Sequence, residues 1–145
     1  MTFLFTDIEG STGLWEAFPE SMRVAVQRHD SILHSAFDDH GGYVFSIGGD
    51  GFGAAFARVG DGISAAVSAQ EALAAEHWPK GAEVRVRMGI HTGEGEERDG
   101  NYFGPAVNRA ARLMAIANGG QVICSEVTAG LVAADTTPAT SVWRT

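Results

Sequence analysis

The chain has 145 residues, of which 45% are hydrophobic and 19% are charged, and its formal net charge is −8. These values suit one globular domain with a substantial core, and they exclude the basic surface that nucleic-acid binding usually needs. Anionic small molecules are not excluded, because a bound divalent cation reverses the sign of the field around its carboxylate ligands.

Cysteine usage and hydropathy favour a cytoplasmic location. Cys124 is the single cysteine of the sequence, so no intrachain disulfide can form, and cysteines and histidines do not cluster with zinc-site spacing. The N-terminal stretch MTFLFTDIEG lacks a basic region, and apolar runs fall well short of the ~20 residues that span a bilayer. We therefore expect no membrane contact from this domain.

The first elements in chain order are a strand, a helix and a hairpin. Residues 2–7, TFLFTD, are rich in aromatic and β-preferring types and predict a strand that ends at Asp7. Between Pro19 and Gly41, apolar residues recur at helical spacing, which predicts an amphipathic helix. Two short strands, at about 43–47 and 52–57, flank a glycine-rich turn that contains Asp50.

A second helix and a fourth strand complete a βαββαβ order. The helix is predicted at about 61–77, and the alternation in VRVRMGIHTG predicts a half-exposed strand at 84–93. This order indicates an α+β fold with a ferredoxin-like core, in which helices cover one face of an antiparallel sheet.

Three further elements are predicted after the polar loop GEGEERDGN. They are a helix at about 104–117 with Pro105 in its first turn, a strand in QVICSE, and a short helix at 126–134. Trp143 is a strand-type residue with no later strand to pair with. We therefore expect a single domain over residues 1–145 that is incomplete at its C-terminus.

Two acids stand where predicted strands end. Asp7 ends the first strand and Asp50 lies in the next hairpin, so a sheet that pairs these strands brings both carboxylates to one edge. Mg²⁺ suits such a pair, because it takes one or two carboxylates and completes its shell with water and substrate phosphate. The alternative is structural: Asp7 caps a helix and Asp50 is a turn residue.

The residues after Asp7, IEGSTGLW, suggest a phosphate site. A Gly-Ser-Thr turn that opens a helix offers backbone N–H groups and the positive end of the helix dipole to an anion. Ser and Thr are also ordinary N-caps, so the motif has a purely structural interpretation as well.

Asn108 and Arg112 are spaced i, i+4 on the third long helix and therefore share a face. Asn can orient a hydroxyl or a ring edge, and Arg can neutralise charge that develops on a phosphoryl oxygen. The alternative is a solvated face from which Arg109 and Arg112 point to water.

Five stretches of the sequence, taken in order, resemble the catalytic domain of class III adenylate and guanylate cyclases. They are FTDIEGST, GGDGFGAAF, RMGIHTGE, YFGPAVNRAARL and GGQVICSE. The resemblance implies a head-to-tail homodimer that converts a nucleoside triphosphate into a 3',5'-cyclic monophosphate and pyrophosphate. It also implies two divalent ions, Mg²⁺ or Mn²⁺, that activate the ribose 3'-hydroxyl and neutralise the leaving pyrophosphate.

The resemblance also implies roles for individual residues. Asp7, Asp50 and the carbonyl of Ile8 would hold the metal ions, and the amides of Glu9, Gly10, Ser11 and Thr12 would take the phosphates. Asn108 matches the Asn that orients the ribose, and Arg112 matches the Arg that stabilises the transition state. In the family these two come from the partner subunit, so a monomer holds two half-sites.

The chain departs from the family at the base-selecting positions. Ser46 falls where adenylate cyclases have Lys, and Asn101 falls where they have Asp; the pair of guanylate cyclases is absent too. Both replacements are short, neutral hydrogen-bonding residues without a fixed donor and acceptor pattern. We expect adenylate cyclase activity on ATP with tolerance for GTP. Members of the family usually continue into a further strand pair that carries a triphosphate-binding basic residue, and we expect that segment to be missing from this chain.

Two other functions are compatible with parts of the sequence. The first is a silent cyclase-homology domain that binds nucleotide or dimerises and so regulates attached domains; Ser46, Asn101 and the C-terminus favour it. The second is a diguanylate cyclase, because GGDGF is similar to the GG(D/E)EF signature. Gly51 replaces the acid of that signature, and VNRAAR has no counterpart there.

Overall fold

The computed structural model describes residues 1–133 and 142–144, and the elements predicted with bounds are found within two residues of those bounds. In chain order the elements are β1 Thr2–Ile8, α1 Ser11–Ala17, α2 Pro19–Asp39, β2 Tyr43–Gly48, β3 Gly51–Phe56, α3 Val59–Ala75, β4 Val86–Thr92, β5 Glu96–Arg98, β6 Asn101–Phe103, α4 Pro105–Ile116, β7 Val122–Cys124, α5 Glu126–Ala133 and β8 Val142–Arg144.

Antiparallel pairs form the centre of a six-stranded sheet with the order β2-β3-β1-β4-β7-β8. β1 lies between β3 and β4, and Leu4 is opposite Ala54 on one side and Ile90 on the other. This pairing confirms the α+β class and the βαββαβ core. β7 extends the sheet in parallel to β4, and β8 in parallel to β7.

The C-terminal strand pairs within this sheet. Trp143 lies in β8, in register with Ile123 of β7, so its strand has a partner earlier in the chain. The other residues of the predicted C-terminal segment, 136–141 and 145, lie outside the described residues.

The main core lies between the sheet and the helices α2 and α3. α2 begins at Pro19, whose fixed φ suits the first helical turn, and it buries one side of its length. Alternate residues of β1, β3 and β4 meet that side, as the period of two in a strand requires. The largest buried side chains of this cluster include Leu4, Ile8, Met22, Leu33, Phe37, Phe56, Met88 and Ile90.

α4 packs on the opposite face of the sheet, so the expectation that helices cover one face is wrong for α4. A second cluster joins Phe3 and Ala55 of the sheet to Ala106, Val107 and Ala110 of α4. Close approach depends on Gly89 of β4, where an added Cβ would overlap the backbone N of Met114 and lie 2.5 Å from the Ala110 carbonyl oxygen.

Burial of β4 on both faces corrects the prediction of a half-exposed strand. Met88, Gly89, Ile90 and His91 are all buried, because α3 and the core cover one face and α4 covers the other. Alternation of polar and apolar residues survives only at the start of the strand, where Arg87 is half-buried.

The predicted polar loop between β4 and α4 contains a two-stranded hairpin, β5 and β6, that the sequence analysis missed. Its turn is Asp99-Gly100, both with positive φ. Tyr102 of the hairpin stacks edge-on against Phe3 and Phe45, and the Tyr43 hydroxyl donates to the Gly100 carbonyl at 2.6 Å. Among the described helices, none is long and apolar enough to cross a bilayer.

Candidate functional site

Asp7 lies near the end of β1, with about one third of its side chain exposed. Arg87 is directly opposite it in the β1–β4 register, and the Arg87 Nη2 donates to the Asp7 Oδ2. The Nη1 of Arg87 also donates to the Ala115 carbonyl at 3.3 Å, which links the ion pair to the C-terminal end of α4. A cation therefore already neutralises Asp7.

Asp50 lies in the tight turn between β2 and β3, and its position depends on the flanking glycines. Gly49 has a φ of 55°, and an added Cβ at Gly51 would lie 2.5 Å from the Thr6 carbonyl oxygen. The carboxylate of Asp50 is half-buried and accepts a hydrogen bond from the Trp15 indole, with 3.4 Å between Nε1 and Oδ1.

The structure brings Asp7 and Asp50 to the same edge of the sheet. Thr6 is paired with Phe52, and the Phe52 N–H also donates to the Thr6 hydroxyl at 3.1 Å. Because the strands are antiparallel, Asp7 follows Thr6 at the end where Asp50 precedes β3. The turn and the strand end that carry the two acids are thus adjacent.

His29 of α2 lies beneath this edge and is fully buried. Burial lowers the pKa of His29 below its usual value, and the negative charges of Asp30, Asp50 and Asp7 oppose that shift. The His29 Nδ1 is 2.8 Å from an oxygen of Asp30, while its buried Nε2 has no hydrogen-bond partner among the described residues. The imidazole is therefore held neutral next to two acids.

The oxygen donors at this edge fit a hard divalent cation. Asp7 and Asp50 supply carboxylates, and the carbonyl of the buried Ile8 follows Asp7 directly. A metal ion at Asp7 would have to displace the Arg87 guanidinium from the carboxylate or share it. Among the described residues, no group of three or more His, Cys, Asp and Glu could hold a metal alone. A cation here needs water or ligand oxygens to complete its shell, as Mg²⁺ prefers.

The turn after β1 offers amides next to these acids. Gly10, with a φ of 65°, precedes α1, whose first-turn N–H groups at Ser11 and Thr12 have no acceptor within the helix. Glu9 differs, because its N–H already donates to the Arg85 carbonyl at 2.8 Å. Its carboxylate accepts from the Gly119 N–H at 2.5 Å.

Asn108 and Arg112 lie on the exposed side of α4, opposite the residues that contact the sheet. α4 runs antiparallel to β4, with Ala115 near Arg87 and Ala106 near Gly93. Asn108 is seven residues before Ala115, so it lies about 10 Å along the helix from the Asp7 end. Both side chains are available to a second molecule.

Ser46 and Asn101 lie on different strands, on the α4 side of the sheet. Ser46 is next to Phe5, since both would contact a Cβ added at Gly53. The Asn101 Oδ1 accepts a hydrogen bond from the Tyr102 N–H at 2.8 Å. Its amide NH₂ and the second lone pair of Oδ1 remain for a ligand, and no described contact joins Ser46 to Asn101.

A cavity of about 580 Å³ lies elsewhere, between α3 and the start of β4. Its lining includes Gln70, Trp78 and Arg85 and none of the predicted site residues. This cavity is therefore not part of the candidate site.

Sequence reasoning missed two residues of this edge, Arg87 and Trp15. The alternation in VRVRMGIHTG places Arg87 only on the exposed side of a strand. The β1–β4 register that brings it to Asp7 joins residues that are 80 apart in the sequence. Trp15 lies in the predicted phosphate helix, and 35 residues separate it from Asp50.

Comparisons with known proteins find similarity over most of the chain. The family model of the adenylate and guanylate cyclase catalytic domain matches residues 1–141. The chain is 41% identical over 134 residues to the uncharacterized protein Rv0891c of Mycobacterium tuberculosis. The aligned region covers 91% of the chain and 45% of that protein. It is 33% identical over 150 residues to the adenylate cyclase of Lachancea kluyveri, with 86% of the chain and 8% of the relative covered.

Solved structures are similar over most of the chain. An adenylate cyclase from Trypanosoma brucei, determined in its monomeric state, has a TM-score of 0.82 and 27% identity, with 89% of this chain and 73% of that one covered. An adenylate/guanylate cyclase/hydrolase from Silicibacter pomeroyi has a TM-score of 0.78 and 28% identity, with 94% and 80% covered. The chain spans less than half the length of the curated relatives described above.

Proposed function

The chain belongs to the adenylate and guanylate cyclase catalytic domain family, and on that premise we propose that it is a nucleotide cyclase that acts as a homodimer. It would convert ATP, and to a lesser extent GTP, into the 3',5'-cyclic monophosphate. The observation that carries the proposal is the separation of two half-sites. Asp7 and Asp50 share one edge of the sheet, whereas Asn108 and Arg112 are exposed on α4.

In the first half-site, Asp7, Asp50 and the Ile8 carbonyl would hold two divalent ions, Mg²⁺ or Mn²⁺. Such ions favour the deprotonated 3'-oxygen and neutralise the pyrophosphate as it leaves. The 3'-oxygen attacks the α-phosphorus, its proton passes to solvent, and the bond from the α-phosphorus to the bridging oxygen breaks with its electrons kept by pyrophosphate. No protein nucleophile is needed.

The residues around the acids would bind the triphosphate. Free amides at Gly10, Ser11 and Thr12 offer donors at the positive end of α1. The Glu9 amide would contribute only after leaving the Arg85 carbonyl. Arg87 would exchange Asp7 for a phosphate oxygen when metal takes the carboxylate, since its guanidinium remains beside the site.

The partner subunit would complete each site. Its copy of Asn108 would orient the ribose, and its copy of Arg112 would stabilise charge on the phosphoryl oxygens. Exposure of both side chains on one helix face supports this arrangement.

Base selection would be weak. Ser46 is neutral, and the Asn101 Oδ1 already accepts from the Tyr102 N–H, so Asn101 presents its NH₂ donor and one remaining acceptor lone pair, a pattern that distinguishes adenine from guanine poorly. The same observation supports a second candidate, a nucleotide-binding or dimerising regulatory module without turnover.

Product formation distinguishes the two. The purified chain is incubated with ATP or GTP and Mn²⁺, and cyclic nucleotide is measured by mass spectrometry. The cyclase proposal expects cyclic product that Asp50→Ala abolishes. Absence of product from a dimeric sample, with nucleotide affinity unchanged by Asp50→Ala, would leave the regulatory module as the better description.

A further inference from the structure

Trp15 makes a direct contact with one of the two acids. The indole Nε1 donates to the Asp50 Oδ1 over 3.4 Å, and 35 residues separate the two in the sequence. Trp15 is half-buried in α1, and its ring packs against the main core. The indole is thus held by packing on one side and reaches the carboxylate with its single polar atom.

The chemistry of this contact differs from that of Arg87 with Asp7. An indole is a donor without charge, so it fixes a carboxylate without competing electrostatically with a cation. It engages Oδ1 and leaves Oδ2 of Asp50 for another ligand. Arg87, by contrast, is a cation on the Asp7 Oδ2. Of the two acids, Asp50 is therefore the one oriented for metal in advance.

We propose that Trp15 is a positioning residue that fixes the Asp50 carboxylate for metal binding. The inference rests on the proposed function, because it assigns Asp50 to a metal ion. Hydrogen-bond partners of ligating carboxylates set ligand orientation, and their loss typically costs 10–100-fold in metal affinity or activity.

The test uses Mn²⁺ alone and the complete 145-residue chain. Trp15→Phe keeps an aromatic ring and removes the donor, and we expect the dissociation constant for Mn²⁺, measured by calorimetry, to rise about tenfold. Trp78→Phe is the matched control, because the Trp78 indole donates to the Leu73 carbonyl at 3.2 Å, away from Asp50. It should bind Mn²⁺ like wild type. Equal affinity in Trp15→Phe and wild type would overturn the inference.

A second measurement needs no variant at position 15. In spectra of the ¹⁵N-labelled wild type, the paramagnetic ion should broaden the indole N–H signal of Trp15 at lower Mn²⁺ concentrations than that of Trp78. Asp50→Asn should abolish that difference. Equal broadening of both signals in the wild type would contradict a metal next to the Trp15 indole.

Kinetics separate a positioning role from loss of structure. Trp15→Phe should raise the Mn²⁺ concentration needed for half-maximal turnover and leave kcat at saturating Mn²⁺ nearly unchanged. Loss of kcat at saturating Mn²⁺ would contradict the role. If a dimeric sample of the wild type binds Mn²⁺ but forms no cyclic product, the proposed function fails while the Mn²⁺ result still decides on Trp15. If the wild type does not bind Mn²⁺ alone, the inference on Trp15 fails, and product formation from ATP and Mn²⁺ decides separately on the proposed function.

Discussion

Arg87 forms an ion pair with Asp7 across the paired strands β1 and β4. The guanidinium therefore occupies the carboxylate that the proposed reaction assigns to metal, and it does so from a strand buried on both faces. The Nε of Arg87 is buried without a described hydrogen-bond partner, so part of the guanidinium is desolvated without compensation in this position.

Removing this guanidinium should shift metal and nucleotide binding in opposite directions. Arg87→Met keeps the stem of the side chain and should tighten Mn²⁺ binding to the free protein up to about fivefold, because a competing charge worth about 1 kcal/mol is lost. Affinity for ATP should fall, since a cation beside the phosphates is gone. Calorimetric titrations measure both. Arg85→Met is the control, because Arg85 is exposed and only its carbonyl contacts Glu9.

Mixing two inactive variants should restore activity if the half-sites come from different subunits. Asp50→Ala and Arg112→Ala damage opposite half-sites, so a mixed dimer keeps one intact site. Random exchange of subunits makes half of the dimers mixed, and each mixed dimer has one intact site of its two. A symmetric dimer should therefore recover about one quarter of wild-type activity. A mixture of Asp7→Ala and Asp50→Ala should recover nothing. If neither mixture shows activity, the proposal that the sites are shared between subunits is contradicted.

Charge at the base-selecting positions should impose a preference for ATP. In the double variant Ser46→Lys and Asn101→Asp, the ammonium can donate to adenine N1 and the carboxylate can accept from its amino group, whereas guanine presents the opposite pattern. We expect the ratio of kcat/KM for ATP over GTP to rise at least about tenfold. Either single variant should gain less, because it introduces one unpaired charge. An unchanged ratio would remove these positions from base selection.

Gly89 should be intolerant of a side chain. Gly89→Ala places a Cβ against the backbone of α4 and should lower the free energy of unfolding by about 1–3 kcal/mol. Urea denaturation measures the change. Gly130→Ala, in α5 with open space around it, should leave stability unchanged or raise it by up to about 1 kcal/mol. Equal stability of both variants would show that α4 adapts to the overlap.

His29 should make the protein less stable below neutral pH. Its folded-state pKa is lowered by burial, so as pH falls below about 6.5 the unfolded chain takes up a proton that the folded protein does not. Stability is then lost progressively down to the folded-state pKa. His29→Leu should reduce this slope in urea unfolding between pH 7 and pH 5. His91, whose pKa is also lowered by burial, would retain its own contribution.

The parts of the fold set by local pattern were predictable, and those set by register were not. Helical spacing and β-preferring runs located α2, α3, α4 and the central strands, and strand ends pointed to Asp7 and Asp50. The hairpin β5–β6 was not predicted because Glu96, Glu97 and Arg98 are charged and do not indicate a strand. Aromatic contacts of Tyr102 hold the hairpin in place. The Asp99-Gly100 pair was the local signal that would have found it.

Contacts between residues that are distant in sequence could not be predicted from patterns along the chain. The Arg87–Asp7 and Trp15–Asp50 contacts depend on which strands are neighbours and on where α1 is directed, and no spacing rule along the chain encodes either. Similarly, only the packing of α4 on the second face reveals that β4 is buried throughout.

Glu9 ties the turn that begins α1 to the rest of the protein at two points. Its N–H is bound by the Arg85 carbonyl, and its carboxylate is bound by the Gly119 N–H, so the turn is anchored to the segments that precede β4 and β7. A turn held in this way has few conformations left to lose when an anion arrives. The entropy of ordering the turn is lost when the chain folds, so the proposed nucleotide would meet a turn that is already ordered.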